Sequence, residues 1–155
     1  MSVNKVEMEN VEPLVAEHHI LMGYRNSAGP IRSKFLIELR DNKRIMGVKC
    51  LECGLIYVPP KPNCVKCLSK MEEWVEVSDK GPLISYTVVD SPDSLVGKEP
   101  PFAYGIIKLD GADTAIVHFI GGVDFKNISS GMQLKAVFKD ERSASILDIS
   151  HFEPI

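Results

Sequence analysis

CLECGLIYVPPKPNCVKC, Cys50 to Cys67, is the stretch that decides how the rest of the chain is read. It holds every cysteine of the protein, as two C-x-x-C pairs separated by ten residues. One C-x-x-C turn lets two thiolates reach the same ion. Two such turns supply the four sulfurs of a tetrahedral site, with Zn–S bonds of about 2.3 Å. Each pair is followed by a small or apolar residue, Gly54 or Leu68, and glycine suits a knuckle turn that needs positive φ. A thioredoxin-type redox pair would need one C-x-x-C opening a helix in a βαβ unit. Gly54, Pro59, Pro60 and Pro62 exclude a helix here. Four-sulfur geometry suits zinc or a rubredoxin-like iron, and spacing alone admits both. The lack of an aromatic cluster around the sulfurs favours zinc. Cys50, Cys53, Cys64 and Cys67 are therefore read as ligands of a structural Zn2+. That leaves no cysteine as a nucleophile, and a closed four-cysteine site has no open position for catalysis.

Around this block the composition is that of a globular chain, with 45% apolar and 25% charged among 155 residues. No apolar run approaches the ~20 residues of a membrane span. The N-terminal MSVNKVEMENVEPLV lacks the basic start and apolar core of a signal peptide. The expected location is the cytoplasm, whose reducing conditions favour cysteines as metal ligands over disulfides. The net charge of −3 argues against a general nucleic-acid binder.

Upstream of the cysteines, IRSKFLIELR places Ile31, Phe35 and Leu39 at i, i+4 and i+8 with Leu36 beside them. This pattern predicts a helix from about Pro30 to Arg40. Ser27 and Gly29 are its candidate caps, and Pro30 suits a first helical turn. A short helix starting near Pro13 is allowed on the same ground, or residues 1–23 lie extended against a partner. Downstream, the period changes to two. WVEVS (74–78), LISYTVVD (83–90), AYGIIKLD (103–110), TAIVHFI (114–120), QLKAVF (133–138) and SILDISHF (145–152) read as strands. Five strands from residue 83 onward with no long helix predict a small closed barrel, with the five-stranded oligonucleotide/oligosaccharide-binding (OB) fold as the candidate. The expected organisation is an N-terminal extension and helix (1–46), a cysteine ribbon (47–73) and a barrel (74–155).

For chemistry, the chain shows no G-x-S-x-G elbow, no H-E-x-x-H and no phosphate-binding loop. His118 and His151 fall on predicted strands as hydrogen-bonded structural histidines, and His18-His19 as a solvated or partner-facing pair. Arg32, Lys34, Arg40, Lys43 and Arg44 lie on or just after the helix, and Lys61 lies in the ribbon. Together with a helix N-terminus they form a candidate cradle for an anion, either nucleic acid or a compact polyphosphate such as coenzyme A. Tyr86 and Phe119 are assigned to the core by alternation with Ile84, Val88 and Val117. The other barrel aromatics lack the interleaved basic residues of a nucleic-acid surface.

The order of parts resembles a known family. IRSKFLIELRDNKRIMGVKC, then C-x-x-C-G-x-x-x-x-P-P-x-x-x-C-x-x-C, then EWVEVSDKGPLISYTVV are similar to the domain-of-unknown-function-35 family of acyl-CoA-associated zinc-ribbon/OB-fold proteins. The residues that carry this are Gly47, Cys50, Cys53, Gly54, Pro59, Pro60, Cys64, Cys67, Trp74, Gly81, Ser85, Tyr86 and Thr87. The resemblance spans about residues 24 to 153. It implies a mainly β protein with an N-terminal helical segment, a rubredoxin-like zinc ribbon and a C-terminal OB barrel. It also implies a role as non-catalytic partner of a thiolase or a hydroxymethylglutaryl-CoA synthase, in a hetero-oligomeric acyl-CoA C-acyltransferase complex. There the ligand shared with the partner would be a coenzyme A thioester, and Arg32, Lys34, Arg40, Lys43, Arg44 and Lys61 the candidate contacts. One bacterial branch resembles the small subunit of benzoylsuccinyl-CoA thiolase, and Tyr24–Gly29 is similar to it. The alternative reading is a single-stranded nucleic-acid-binding OB module.

Overall fold

A computed structural model describes residues 12–19, 22–23, 25–92 and 97–155. Most of the helix and strand patterns read from the sequence form in it. Helix α1 runs Gly29–Asn42. Strands β1 (Ile45–Lys49), β2 (Ile56–Tyr57) and β3 (Glu73–Val77) form one antiparallel sheet in the order β2-β1-β3. Strands β4 (Lys80–Val89), β5 (Phe102–Ile107), β6 (Ile116–Ile120), β7 (Gln133–Phe138) and β8 (Ile149–Pro154) close a barrel in the order β4-β5-β6-β8-β7. The fold is mainly β, as expected, with the helix and the cysteine ribbon preceding an OB-type barrel.

The helix N-cap is Ala28, which makes no side-chain cap bond, rather than the expected Ser27 or Gly29. Ser27 Oγ accepts from the Gly29 N–H at 3.2 Å, and Pro30 sits in the first turn. It ends at Lys43, whose left-handed backbone (φ 53°) turns its N–H back to the Glu38 carbonyl. The predicted stripe has two tasks. Phe35 and Leu39 are buried in the barrel-side core with Leu83, Ile107, Leu134, Ile149 and Phe152. Ile31, one turn earlier, packs on the ribbon core of Val48, Cys50, Tyr57, Cys64 and Met71. Each fully buried Phe or Leu contributes roughly 1.5–3 kcal/mol. One helix face thus joins the two cores.

Several expectations are corrected. No helix forms at Pro13: residues 12–19 carry no regular structure, and Leu14 and Val15 are exposed. A helix that short has no stability without an apolar partner to pack on. Residues 1–11, 20–21 and 24 of the N-terminal segment, including Tyr24, lie outside the described residues. Residues 145–148 form a 3₁₀ turn rather than the start of a strand, because Ser145 and Asp148 make a reciprocal capping box. Tyr86 is not core but 39% exposed, beside exposed Ile84. A β-bulge between Leu83 and Ser85 breaks the alternation on which that assignment rested. Phe119 is buried, but against Phe102 and Tyr104, while Val117 is exposed; Ile116 and Ile120 supply the barrel core on this strand.

Ribbon and barrel are tied across the chain. Asp113, on the β5–β6 turn, donates its backbone N–H to the Ile56 carbonyl at 2.9 Å, and its carboxylate accepts from the Ile56 N–H at 2.8 Å. Thr114 Oγ1 accepts from the Val58 N–H and donates to the Val58 carbonyl, both at 2.8 Å. These bonds clamp the otherwise unpaired edge of β2 and fix the start of the Pro59-Pro60-Lys61 run.

Candidate metal centre and interdomain cavity

The four cysteines meet at the end of the ribbon. Their sulfurs all lie within 4.8 Å of one another, with Cys50–Cys67 and Cys53–Cys64 at 3.5 Å and Cys53–Cys67 at 4.0 Å. A tetrahedron with 2.3 Å bonds has edges of about 3.8 Å, so the arrangement fits a structural zinc ion. The two knuckles repeat each other. Cys50 N–H donates to the Leu55 carbonyl and Gly54 N–H to the Cys50 carbonyl. In the same way, Cys64 N–H donates to the Ser69 carbonyl and Leu68 N–H to the Cys64 carbonyl. Gly54 (φ 73°) and Leu68 (φ 62°) hold the same left-handed position. The expectation for Gly54 is met, and Leu68 does the same work with a side chain.

The thiols do not ionise alike. The Ser69 hydroxyl, then the Cys53 N–H, hold Cys50 below its ordinary value. The Tyr57 hydroxyl and the Cys67 N–H bring Cys64 down to about 6. The Leu55 N–H pulls Cys53 down, but burial and the neighbouring thiols push it up to about 12. Negative charge on some sulfurs opposes charge on the last, and a bound divalent cation reverses that opposition. Among the described residues this is the one cluster of three or more such ligands.

A second feature lies where helix, ribbon and barrel meet. A cavity of about 610 Å³ is lined by Arg32, Phe35, Leu36, Pro59, Pro60, Lys61 and residues 144–146. Its wall of residues 144–146 is held by two buried groups. Asp148 accepts from the Ser143 and Ser145 N–H groups at 2.9 and 3.1 Å. His118 accepts from the Phe119 N–H on Nδ1, so Nε2 carries the proton and donates to the Ile146 carbonyl at 3.2 Å. Burial, above all, lowers the His118 pKa from its ordinary 6.5 and keeps it neutral. It is the hydrogen-bonded structural histidine its strand position suggested. Arg142 adds a tie from this loop to the helix, donating to the Arg40 carbonyl at 2.6 Å.

Of the six candidate cations, the structure brings Arg32 and Lys61 to one cavity. The other four point elsewhere. The Lys34 ammonium lies 4.5 Å from the Trp74 ring centroid, and Arg40 pairs with Asp41 at 2.7 Å. Arg44 pairs with Glu38 at 2.8 Å and with Glu76 at 3.6 Å. Lys43 lines a separate hollow with Asp79, Lys135 and Glu153. On the barrel, Tyr104 and Phe119 stack on each other at 4.8 Å, and the Lys98 ammonium covers Phe119 at 4.1 Å. Those ring faces are occupied within the protein rather than offered to bases. Among the described residues, no helix is long and apolar enough to cross a membrane.

Residues that sequence reasoning missed are Tyr57 and Ser69 beside the sulfurs, Asp113 and Thr114 at the clamp, and the 144–146 wall. Ser69, two residues past Cys67, carried a local signal. The clamp joins residues 56 apart and carried none.

Ribbon, barrel and joining helix define a four-cysteine zinc-ribbon/OB-fold protein, and comparison with known proteins agrees. The model of the ChsH2 rubredoxin-like zinc ribbon domain matches residues 38–72, and that of the ChsH2 C-terminal OB-fold domain matches residues 74–139. A DUF35 domain-containing scaffold protein of Methanocaldococcus jannaschii is 30% identical over 114 residues, covering 70% of this chain and 80% of the relative. One from Pyrococcus furiosus is 27% identical over 110 residues, covering 71% and 79%. The chain belongs to the DUF35 family. Among solved structures, a DUF35-family protein from Sulfolobus solfataricus superposes with a TM-score of 0.62 at 25% identity, covering 82% of this chain and 87% of that one. A chain of the Ltp2-ChsH2(DUF35) aldolase shares the fold, with a TM-score of 0.62 at 23% identity, over 83% of this chain and 98% of that one.

Proposed function

We propose that the protein is a non-catalytic, zinc-stapled accessory subunit of a thiolase-type acyl-CoA enzyme in the cytoplasm. The observation that carries this reading is the cavity between helix, ribbon and barrel. Its floor is apolar (Phe35, Leu36, Pro59, Pro60), its charged lining residues are Arg32 and Lys61, and no carboxylate is among the residues that line it. Such a site suits an amphipathic anion, and a coenzyme A thioester has a long pantetheine arm ending in phosphates. The curated relatives are named scaffold proteins, and the matching domain models carry the name ChsH2, which is also part of the Ltp2-ChsH2(DUF35) aldolase. An aldolase and a thiolase both make or break a carbon–carbon bond. The four thiols of this chain are held together at the metal centre, so the partner supplies the nucleophile and the base. The benzoylsuccinyl-CoA thiolase branch is a specific candidate within this class.

The subunit would act by positioning. Holding the CoA moiety at the entrance of the partner's site lowers the entropic cost of reaction without touching the bonds that change. Zinc, when bound, supplies a structural cross-link, and Cys50, Cys53, Cys64 and Cys67 would hold it. The test is co-purification of the tagged protein from its own host. A thiolase- or synthase-type enzyme should come with it at defined stoichiometry, and acyl-CoA turnover should need both. Recovery of this chain alone from cells expressing such enzymes would end the proposal. Cys64→Ser should abolish the association, because metal-binding energy is folding energy in so small a module.

A further inference from the structure

Two hydroxyl groups approach the sulfurs from outside the ligand set. Ser69 Oγ lies 3.1 Å from Cys50 Sγ and 3.1 Å from Cys67 Sγ. The Tyr57 hydroxyl, in the buried ribbon core, lies 3.5 Å from Cys64 Sγ. A metal-bound cysteine carries no proton, so in the loaded site each hydroxyl must be the donor. We propose that Ser69 and Tyr57 are positioning residues of the zinc centre, whose O–H groups damp the electron density of Cys50, Cys67 and Cys64 and so protect the metal from electrophiles.

The physical ground is the strength of hydrogen bonds to ionised acceptors. Such bonds are roughly twice as strong as neutral ones, and outer partners of this kind tune both affinity and reactivity of a metal ligand. Their placement matters as much as their presence. Ser69 follows the second knuckle yet reaches Cys50 of the first, so one hydroxyl spans the two halves of the site. Cys67 is the exposed ligand, the one an attacking molecule meets first. Tyr57 stands between Ile56 and Val58, the two residues gripped by Asp113 and Thr114. The barrel's β5–β6 turn therefore holds the strand that aims Tyr57 at Cys64, which couples the barrel to the metal. Neither residue is a ligand, and the inference stands whether or not a thiolase partner is found.

The test uses the full chain, loaded with cobalt(II) for spectroscopy and with zinc for reactivity. Removing a donor makes a thiolate easier to oxidise, so the sulfur-to-cobalt charge-transfer band should move to lower energy in Ser69→Ala and in Tyr57→Phe. Ser69→Thr, which keeps the hydroxyl, should restore the native band. With iodoacetamide, a thiolate sulfur forms a bond to the methylene carbon and iodide leaves with the carbon–iodine electron pair. The neutral thioether then releases zinc to a chelating dye. Mass spectrometry should show alkylation rising several-fold at Cys50 and Cys67 in Ser69→Ala, and at Cys64 in Tyr57→Phe. Unmoved bands in folded variants would overturn the proposal. So would an equal rise at all four cysteines, which is the signature of a merely loosened knuckle. Tyr57→Phe conserves shape, so it reports even if Ser69→Ala folds poorly.

Discussion

Exchanging the residues that follow the two cysteine pairs tests whether the knuckles are held by backbone geometry. Gly54 and Leu68 share the left-handed conformation, at φ 73° and 62°, and close the same hydrogen bond to the first cysteine of their pair. A Cβ on Gly54 would meet nothing within 4 Å, so Gly54→Ala isolates the backbone term. That term is about 1–2 kcal/mol for a residue with a Cβ. Stiffening of the unfolded chain offsets about 0.4–1 kcal/mol of it, leaving a net loss near 1 kcal/mol. Leu68→Gly runs the other way. Its side chain is 77% exposed, so little burial is lost, and relief of the left-handed backbone should outweigh the added chain entropy. A gain of about 0.5 kcal/mol follows from the same two terms. Because knuckle formation and metal binding are linked, the readout is zinc affinity against a competing chelator. With about 1.4 kcal/mol per tenfold, Gly54→Ala should hold zinc roughly fivefold more weakly and Leu68→Gly about twofold more tightly. Shifts of the same sign in both variants, or a neutral Gly54→Ala, would refute the reasoning.

Three further outcomes are expected. Replacing Arg32 and Lys61 together by Ala should raise KM for the acyl-CoA in the assembled enzyme, by about 1 kcal/mol per contact, with kcat kept; Arg40→Ala should change neither constant. Thr114→Val removes both bonds to Val58 while keeping shape, and chemical denaturation should show a loss of about 1–3 kcal/mol from the groups left unpaired. His118 has its pKa lowered on folding, so the unfolded chain binds its proton first as pH falls. Stability contributed by neutral His118 is present above 6.5 and is lost as pH drops through the folded value. Unfolding curves between pH 7 and 5 should show this fall in the native protein and a flatter profile in His118→Gln. An unchanged slope would mean that another group titrates in that window.

How much of this was legible in the sequence depends on how local each constraint is. The four-cysteine cluster and the left-handed Gly54 were readable because a C-x-x-C turn is decided within six residues. The helix stripe was readable too, though not that Ile31 would serve the ribbon and Phe35 the barrel. Tyr86 was misplaced because the alternation of burial stops at the bulge, residues 84–87 all being exposed, and a bulge leaves no mark in a run such as LISYTVV. The cations show the other limit. Six basic residues looked alike as a list, yet Arg44 is engaged by Glu38 six residues back, Lys34 lies over Trp74, and Arg40 turns to its neighbour Asp41. What separates Arg32 and Lys61 from them is a cavity whose wall, residues 144–146, lies more than eighty positions away along the chain. That wall depends on His118 and Asp148, two buried polar groups that bond to Ile146 and Ser145 within it. Buried polar groups are kept only where they are satisfied, and here the satisfied groups shape the cavity proposed to receive the ligand. A sequence can nominate the residues of such a site. Only packing decides which of them face it.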